Sequence, residues 1–230
     1  MKKVFAFLPF LIAAFQLSAQ DAMTLAQQVK AKLAKVNDYQ ANGTMKTDVS
    51  FMKVPESGVV IYYRKPDQFR IRKQDGITIT PKGGMSVNLN GLFIGNNFTA
   101  VAAGTTTFKN TAVTIIKLLP LDEQTDVVVS TLYIDPKQLL IRKATTTTRQ
   151  NGTYEMELDY GKFADWGLPD KVVFIFDTKE YKLPKGLAFD YESGSSKPAS
   201  KTVPQNSQGR IELSYSSYLI NKGIPASIFR

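Results

Sequence analysis

Along most of this chain apolar and polar residues alternate with a period of two, and the exception stands near the start. Leu25, Val29, Leu33 and Val36 recur at helical spacing and mark one apolar stripe, which predicts a helix over about 22–36 with Asp21 as its cap. Asn37-Asp38 breaks that pattern, and strand periodicity takes over. Met45, Thr47, Val49 and Phe51 alternate with Lys46, Asp48 and Ser50, as in a strand with one dry face. Residues 59–63, 69–72 and 77–79 read as the next strands. Met85, Val87 and Leu89 alternate again, and Asn90-Gly91 predicts a two-residue hairpin turn into 92–94.

The stretch 111–119 departs from this rhythm. Val113, Ile116 and Leu119 are spaced by three, which predicts a short helix stopped by Pro120. Strands resume over 127–134 and, after the turn at Asp135-Pro136-Lys137, over 139–146. Asn151-Gly152 is the strongest hairpin signal in the chain, and Tyr154, Met156, Leu158 and Tyr160 alternate after it. Residues 171–176 and 210–215 supply further strands. Between these two, residues 177–209 have the Gly, Pro and Ser content of a long loop excursion. Ten or eleven strands at hairpin spacing form an antiparallel sheet, and a sheet that long curls. The predicted fold is therefore mainly β: a strongly curved, unclosed barrel with an N-terminal helix and a short helical lid over an apolar cavity.

Composition removes most catalytic classes. The 230 residues hold no His and no Cys, which excludes disulfides, thiolate chemistry, Ser-His-Asp triads and histidine metal sites. Lys and Arg outnumber Asp and Glu, for a net charge of +9. Met1-Lys2-Lys3, the apolar run 4–15 and Leu17-Ser18-Ala19-Gln20 have the layout of a secretory signal peptide cleaved near Gln20. The expected product is one exported domain, 21–230, in the periplasm. Export makes nucleic acid an improbable partner, and the positive charge is better matched to anionic lipid headgroups.

Two constellations carry candidate chemistry. Glu155, Glu157 and Asp159 line one strand face about 7 Å apart, a spacing that suits paired-carboxylate hydrolysis or a hard cation, and equally a solvated face. Asp122, Glu123 and Asp126 read as a surface loop. Arg64, Lys65, Arg70, Arg72 and Lys73 lie among Tyr62, Tyr63 and Phe69, either as the charged outer face of two strands or as a contact for headgroups or a partner. The triplets Asn42-Gly43-Thr44, Asn97-Phe98-Thr99 and Asn151-Gly152-Thr153 match a glycosylation pattern and read as turns. The dry face itself remains: Met45, Phe51, Ile61, Phe69, Ile71, Met85, Leu89, Phe93, Tyr154 and Met156 form either a closed core or the lining of a lipid site.

Tyr63-Arg64-Lys65-Pro66-Asp67-Gln68-Phe69-Arg70 resembles the basic-Pro-x-x-Phe signature of the LolA-type outer-membrane lipoprotein carriers. Ile134-Asp135-Pro136 to Ile141-Arg142, the Asn151-Gly152 hairpin and Leu168-Pro169-Asp170-Lys171-Val172 are similar to the second half of that superfamily. The stretch 218–225 resembles the closing segment of its Bacteroidetes-type members. The resemblance implies a monomeric carrier without cofactor that takes acylated cargo from an inner-membrane release complex to an outer-membrane acceptor. It also implies a lid latched by a basic residue before the proline, here Lys65 with Arg64 beside it. The same superfamily includes periplasmic sensors of mislocalised lipoprotein, which is the alternative reading.

Overall fold

The structure, a computed structural model, describes residues 9–49, 52–73, 78–79, 89–93, 97–122, 124–150, 152–177 and 208–229. One helix, α1 (Pro9–Leu33), precedes eleven strands: β1 (Asp38–Val49), β2 (Met52–Arg64), β3 (Gln68–Lys73), β4 (Thr78–Ile79), β5 (Phe98–Phe108), β6 (Thr111–Pro120), β7 (Val127–Asp135), β8 (Leu140–Thr148), β9 (Thr153–Asp159), β10 (Lys171–Asp177) and β11 (Gln208–Ile220). All join one antiparallel sheet in the order β4-β3-β2-β1-β11-β10-β9-β8-β7-β6-β5. β4 and β5 are its two edges, so the curved sheet does not close on itself, as its mainly β sequence pattern predicts.

Local chemistry accounts for the elements. In β9 the alternation noted in the sequence becomes a strict alternation of burial, with Tyr154, Met156 and Leu158 inside. The helix is longer than expected at its start and shorter at its end. It runs from Pro9, through Asp21, to Leu33, and Val36 is brought into the core by a tight turn in which its N–H donates to the Leu33 carbonyl at 3.1 Å. Its buried stripe is Ala22, Ala26, Val29 and Leu33 followed by Val36, while Leu25 is only half-buried. The two alanines let the helix lie close to the sheet.

Other local expectations are overturned as well. Residues 111–119 form strand β6 and not a short helix. Thr111, Val113, Thr114, Ile115 and Ile116 are β-branched and favour strand, and the three-residue spacing puts Val113 on one face and Ile116 on the other. Asn90-Gly91 makes no hairpin: both lie in a one-turn 3-10 helix, Leu89–Phe93, which puts Leu89, Leu92 and Phe93 together on its buried side. Asn42-Gly43-Thr44 is no turn but the middle of β1, where the pairing with β11 carries a bulge between Asn42 and Gly43. The hairpin expected at Asn151-Gly152 does join β8 to β9, with Gly152 at φ 67. Of the excursion 177–209, residues 178–207 lie outside the described residues, as do Phe51, Met85, Val87, Glu123 and Asn151.

Candidate functional site

Directly opposed residues in neighbouring strands share a face, so the strand registers show what the inner face contains. One row across eight strands is Thr47, Ile211, Phe174, Met156, Ala144, Leu132, Ile116 and Ala102. A second runs Phe69, Tyr63, Tyr39 and Ile220, and a third runs Ile71, Ile61, Ala41 and Tyr218. The helix stripe packs into one core with these rows, except at their β5 end, where Ala102 is exposed. Each candidate lining residue that the structure describes belongs to this assembly. Met45, Ile61, Ile71, Tyr154 and Met156 are buried on the inner face and Phe69 is half-buried there, while Leu89 and Phe93 are buried in the 3-10 turn that packs with α1.

The cover is α1, held at named points. Lys30 lies 5.4 Å from the centre of the Phe98 ring on β5, and the Lys32 ammonium donates to the Gln138 carbonyl at 2.7 Å. Partial burial lowers the pKa of both lysines; for Lys32 the nearby Asp165 and Asp135 oppose that shift. Leu33 packs on Gly167, where a Cβ would come within 2.9 Å of its side chain. At the end of the helix Lys65 donates to the Ala34 carbonyl and, at 3.0 Å, to Asn37 Oδ1. Asn221 completes the junction: its side chain accepts from the Asn37 N–H at 2.7 Å and donates to the Lys35 carbonyl at 2.9 Å. Asp38 Oδ1 in turn accepts the N–H groups of Lys222 and Gly223.

The basic stretch around Lys65 does not act as one patch. Arg64 donates to Gln68 and to the Ile224 carbonyl and lies 5.5 Å from the Phe229 ring. Arg70 donates to the Ile228 carbonyl, so both arginines bind the closing segment 224–229 on the outer face. Arg72 is exposed, and Lys73 turns to the inner face and is buried. Only part of this stretch thus matches the charged outer face expected of it.

Beside α1's exit stands a cluster of aromatic rings that the alternation did not single out. Tyr39 meets Tyr63 and Tyr218 at 5.3 Å, Tyr215 stacks on Tyr218 at 5.2 Å, and Phe163 meets Tyr218 edge-on at 4.8 Å. The Tyr218 hydroxyl donates to the Pro169 carbonyl at 2.7 Å, as a buried phenol requires. Burial pushes the pKa of Tyr39, Tyr160, Tyr215 and Tyr218 up. On the opposite face the three carboxylates of β9 are paired. Glu155 binds Lys143 at 2.7 Å, while Glu157 and Asp159 share Lys109 at 3.0 Å each. Burial alone would lower the Lys109 pKa, but its bonds to Asp159 and Glu157 outweigh that and raise it. No group of acidic side chains among the described residues is placed to hold a metal ion. Nor is any helix there long and apolar enough to cross a membrane.

No known family profile and no curated protein matches this sequence. Solved structures do. The chain is similar to an outer-membrane lipoprotein-sorting protein domain from Vibrio parahaemolyticus, with TM-score 0.58 and 10% identity over 92% of this chain and 97% of that one. It is similar to a LolA superfamily protein from Nitrosomonas europaea at TM-score 0.54 and 12% identity, covering 89% and 97%. A DUF1329 family protein from Desulfovibrio piger matches at TM-score 0.54 and 9% identity, covering 93% and 97%. A half-barrel of eleven strands under one helix, matched over nearly the full length of each of these chains, has the LolA-like fold.

Proposed function

We propose that the chain is a periplasmic carrier that binds the acyl chains of lipoproteins, or another acyl lipid, between α1 and the inner face of the sheet, and delivers them toward the outer membrane. The observation that carries this reading is the apolar face continuous across the strands of an unclosed sheet, with one helix and one short turn over it. Moving such cargo through water has a defined physical demand. Each exposed CH₂ costs about 0.8 kcal/mol, so a chain of about 16 carbons bears roughly 13 kcal/mol against desorbing bare. Burial against Met, Leu and aromatic side chains removes most of that, and no covalent chemistry or cofactor is needed. Cleavage near Gln20, a monomeric state, an inner-membrane source and an outer-membrane acceptor belong to the same proposal. The likeness to a lipoprotein-sorting domain supports it.

The carrier reading requires the cover to move. Met156, Ile61 and Phe93 have no exposed surface, so among the described elements it is α1 or the 3-10 turn that lifts to admit acyl chains. The contacts of Lys65 and Asn221 at the end of α1 are where that motion would be controlled. The same enclosure favours a second reading, a sensor or interaction module with a permanently packed interior. Native mass spectrometry of the protein purified from the periplasm without detergent, with extraction of whatever is bound, separates the two. A stoichiometric lipid or acylated peptide supports the carrier. An empty protein that also refuses acylated peptide supports the packed module.

A further inference from the structure

We infer that the hollow selects acyl lipids with an anionic head, and that Lys73 with Ser57 receives that head; this deepens the carrier reading and rests on it. Lys73 ends β3 directly opposite Val59, whose side chain belongs to the inner face. At 5% exposure it is the only lysine or arginine buried to that degree among the described residues. Its neighbours in sequence show that this placement is a matter of register: Arg70 and Arg72 point to the other face of the same strand.

Ser57 lies two residues from Val59 on that inner face, opposite Met45. Its hydroxyl oxygen is enclosed and has no hydrogen-bond partner among the described residues. Diagonal neighbours across a strand pair are about 7–8 Å apart at the backbone, within the reach of a lysine stem, so one ligand oxygen can accept from both groups. An ammonium has three donors, and a ligand joins whatever contacts Lys73 already makes. Around them are Met45, Val59 and Ile71, all buried and apolar. An ammonium at this place gives charge-assisted bonds to a carboxylate or phosphate, which are stronger than those it gives to an ester or alcohol. Acyl chains would then extend from this end along the apolar rows.

The test measures binding of four probes to the purified chain: oleate, methyl oleate, oleoyl lysophosphatidic acid and monoolein. The wild-type protein is expected to prefer each anion to its neutral counterpart by about tenfold or more. Lys73→Gln should bring that preference to within about twofold while methyl oleate still binds, Lys73→Arg should keep it, and Ser57→Ala should reduce it by a few fold. A preference for oleate alone assigns the head to a fatty acid, and for the phosphate alone to a phospholipid. Equal binding of acid and ester, or a preference unchanged in folded Lys73→Gln and Ser57→Ala proteins, overturns the inference. If an acylated peptide binds and none of the four probes does, the inference falls and the carrier reading stands. If nothing binds, both fall.

Discussion

Lys65 and Asn221, far apart in sequence, donate to consecutive carbonyls, those of Ala34 and Lys35, at the end of α1. They occupy the place where a helix leaves its last acceptors unsatisfied, and Lys65 adds a positive charge at the negative end of the helix dipole. Asn221 is itself held in the left-handed region at φ 56, where Asn and Gly are tolerated. Asn221→Gly therefore keeps the backbone and deletes only the side-chain bonds. It is expected to lower stability by about 1–2 kcal/mol, and Lys65→Met by about 1 kcal/mol, in urea unfolding. A double-mutant cycle should show coupling, because both act on one junction. Strict additivity would mean that the two contacts are independent.

Met156 and Glu157 are neighbours on β9 that face opposite ways. Met156→Ala should cost about 2–5 kcal/mol through the cavity it leaves. Glu157→Gln, which loses one bond to a half-exposed Lys109, should cost less than about 1 kcal/mol. Chemical denaturation of both variants checks the pair. A hydrolytic activity lost on Glu157→Gln would revive the paired-carboxylate reading that these ion pairs replace. Met156→Glu, an obvious probe of lipid uptake, buries a charge at a fully enclosed position and reports on folding first.

Gly43 faces the β11 backbone so closely that an added Cβ would lie 2.2 Å from the Ser214 carbonyl oxygen. Backbone cannot swing aside as a flexible side chain does. Gly43→Ala is expected to lose more than about 2 kcal/mol, or to shift the bulge between β1 and β11. Gly104→Ala, at φ 101 but with no atom near its Cβ, should cost only about 1–2 kcal/mol of backbone strain. Thermal unfolding ranks the two.

The buried phenols set the alkaline limit. Because the folded-state pKa of Tyr39, Tyr160, Tyr215 and Tyr218 lies above its unfolded value, their contribution is complete below about pH 10 and declines as pH rises past it. Absorbance at 295 nm should show exposed tyrosines titrating smoothly, and the buried set ionising together with loss of the near-ultraviolet circular dichroism. Glu212 acts in the opposite range. Its bonds to Lys171 and Arg210 depress its pKa despite some opposing burial, so its small contribution is present above the ordinary carboxylate range and fades as pH falls through the depressed value.

The legible parts of this chain were those where one face is dry and the other wet. Tyr154, Met156 and Leu158 against Glu155, Glu157 and Asp159 allow only one orientation of β9, and its buried side followed directly from it. Where both faces of a strand hold apolar residues, period two disappears. Val113 and Ile116 then imitate a helical turn, and the expected lid dissolved into β6. Gly91 misled for another reason: a glycine after asparagine marks a turn, yet Leu92 and Phe93 gain more by burying together against α1 than a hairpin would let them. The tyrosines around Tyr218 were unreadable because their surroundings are assembled from strands distant in sequence, and only the pairing of β1 with β11 reveals them. Lys73 was grouped with the outer basic residues, although alternation from Phe69 and Ile71 already puts it on the inner face.

Strand β5 ends the sheet with eleven residues, Phe98–Phe108, and none of them is charged. An open strand of that length and composition is a template on which a second chain can add backbone bond after backbone bond. The pairing of β5 with β6 slips between Ala102 and Thr105, and Gly104 in between takes a φ of 101. The regular line of N–H and C=O groups is thereby interrupted by a bulge. A polymer growing from this edge would have to copy the bulge at every layer, so the irregularity in the β5–β6 pairing also acts as a chain terminator against fibre growth.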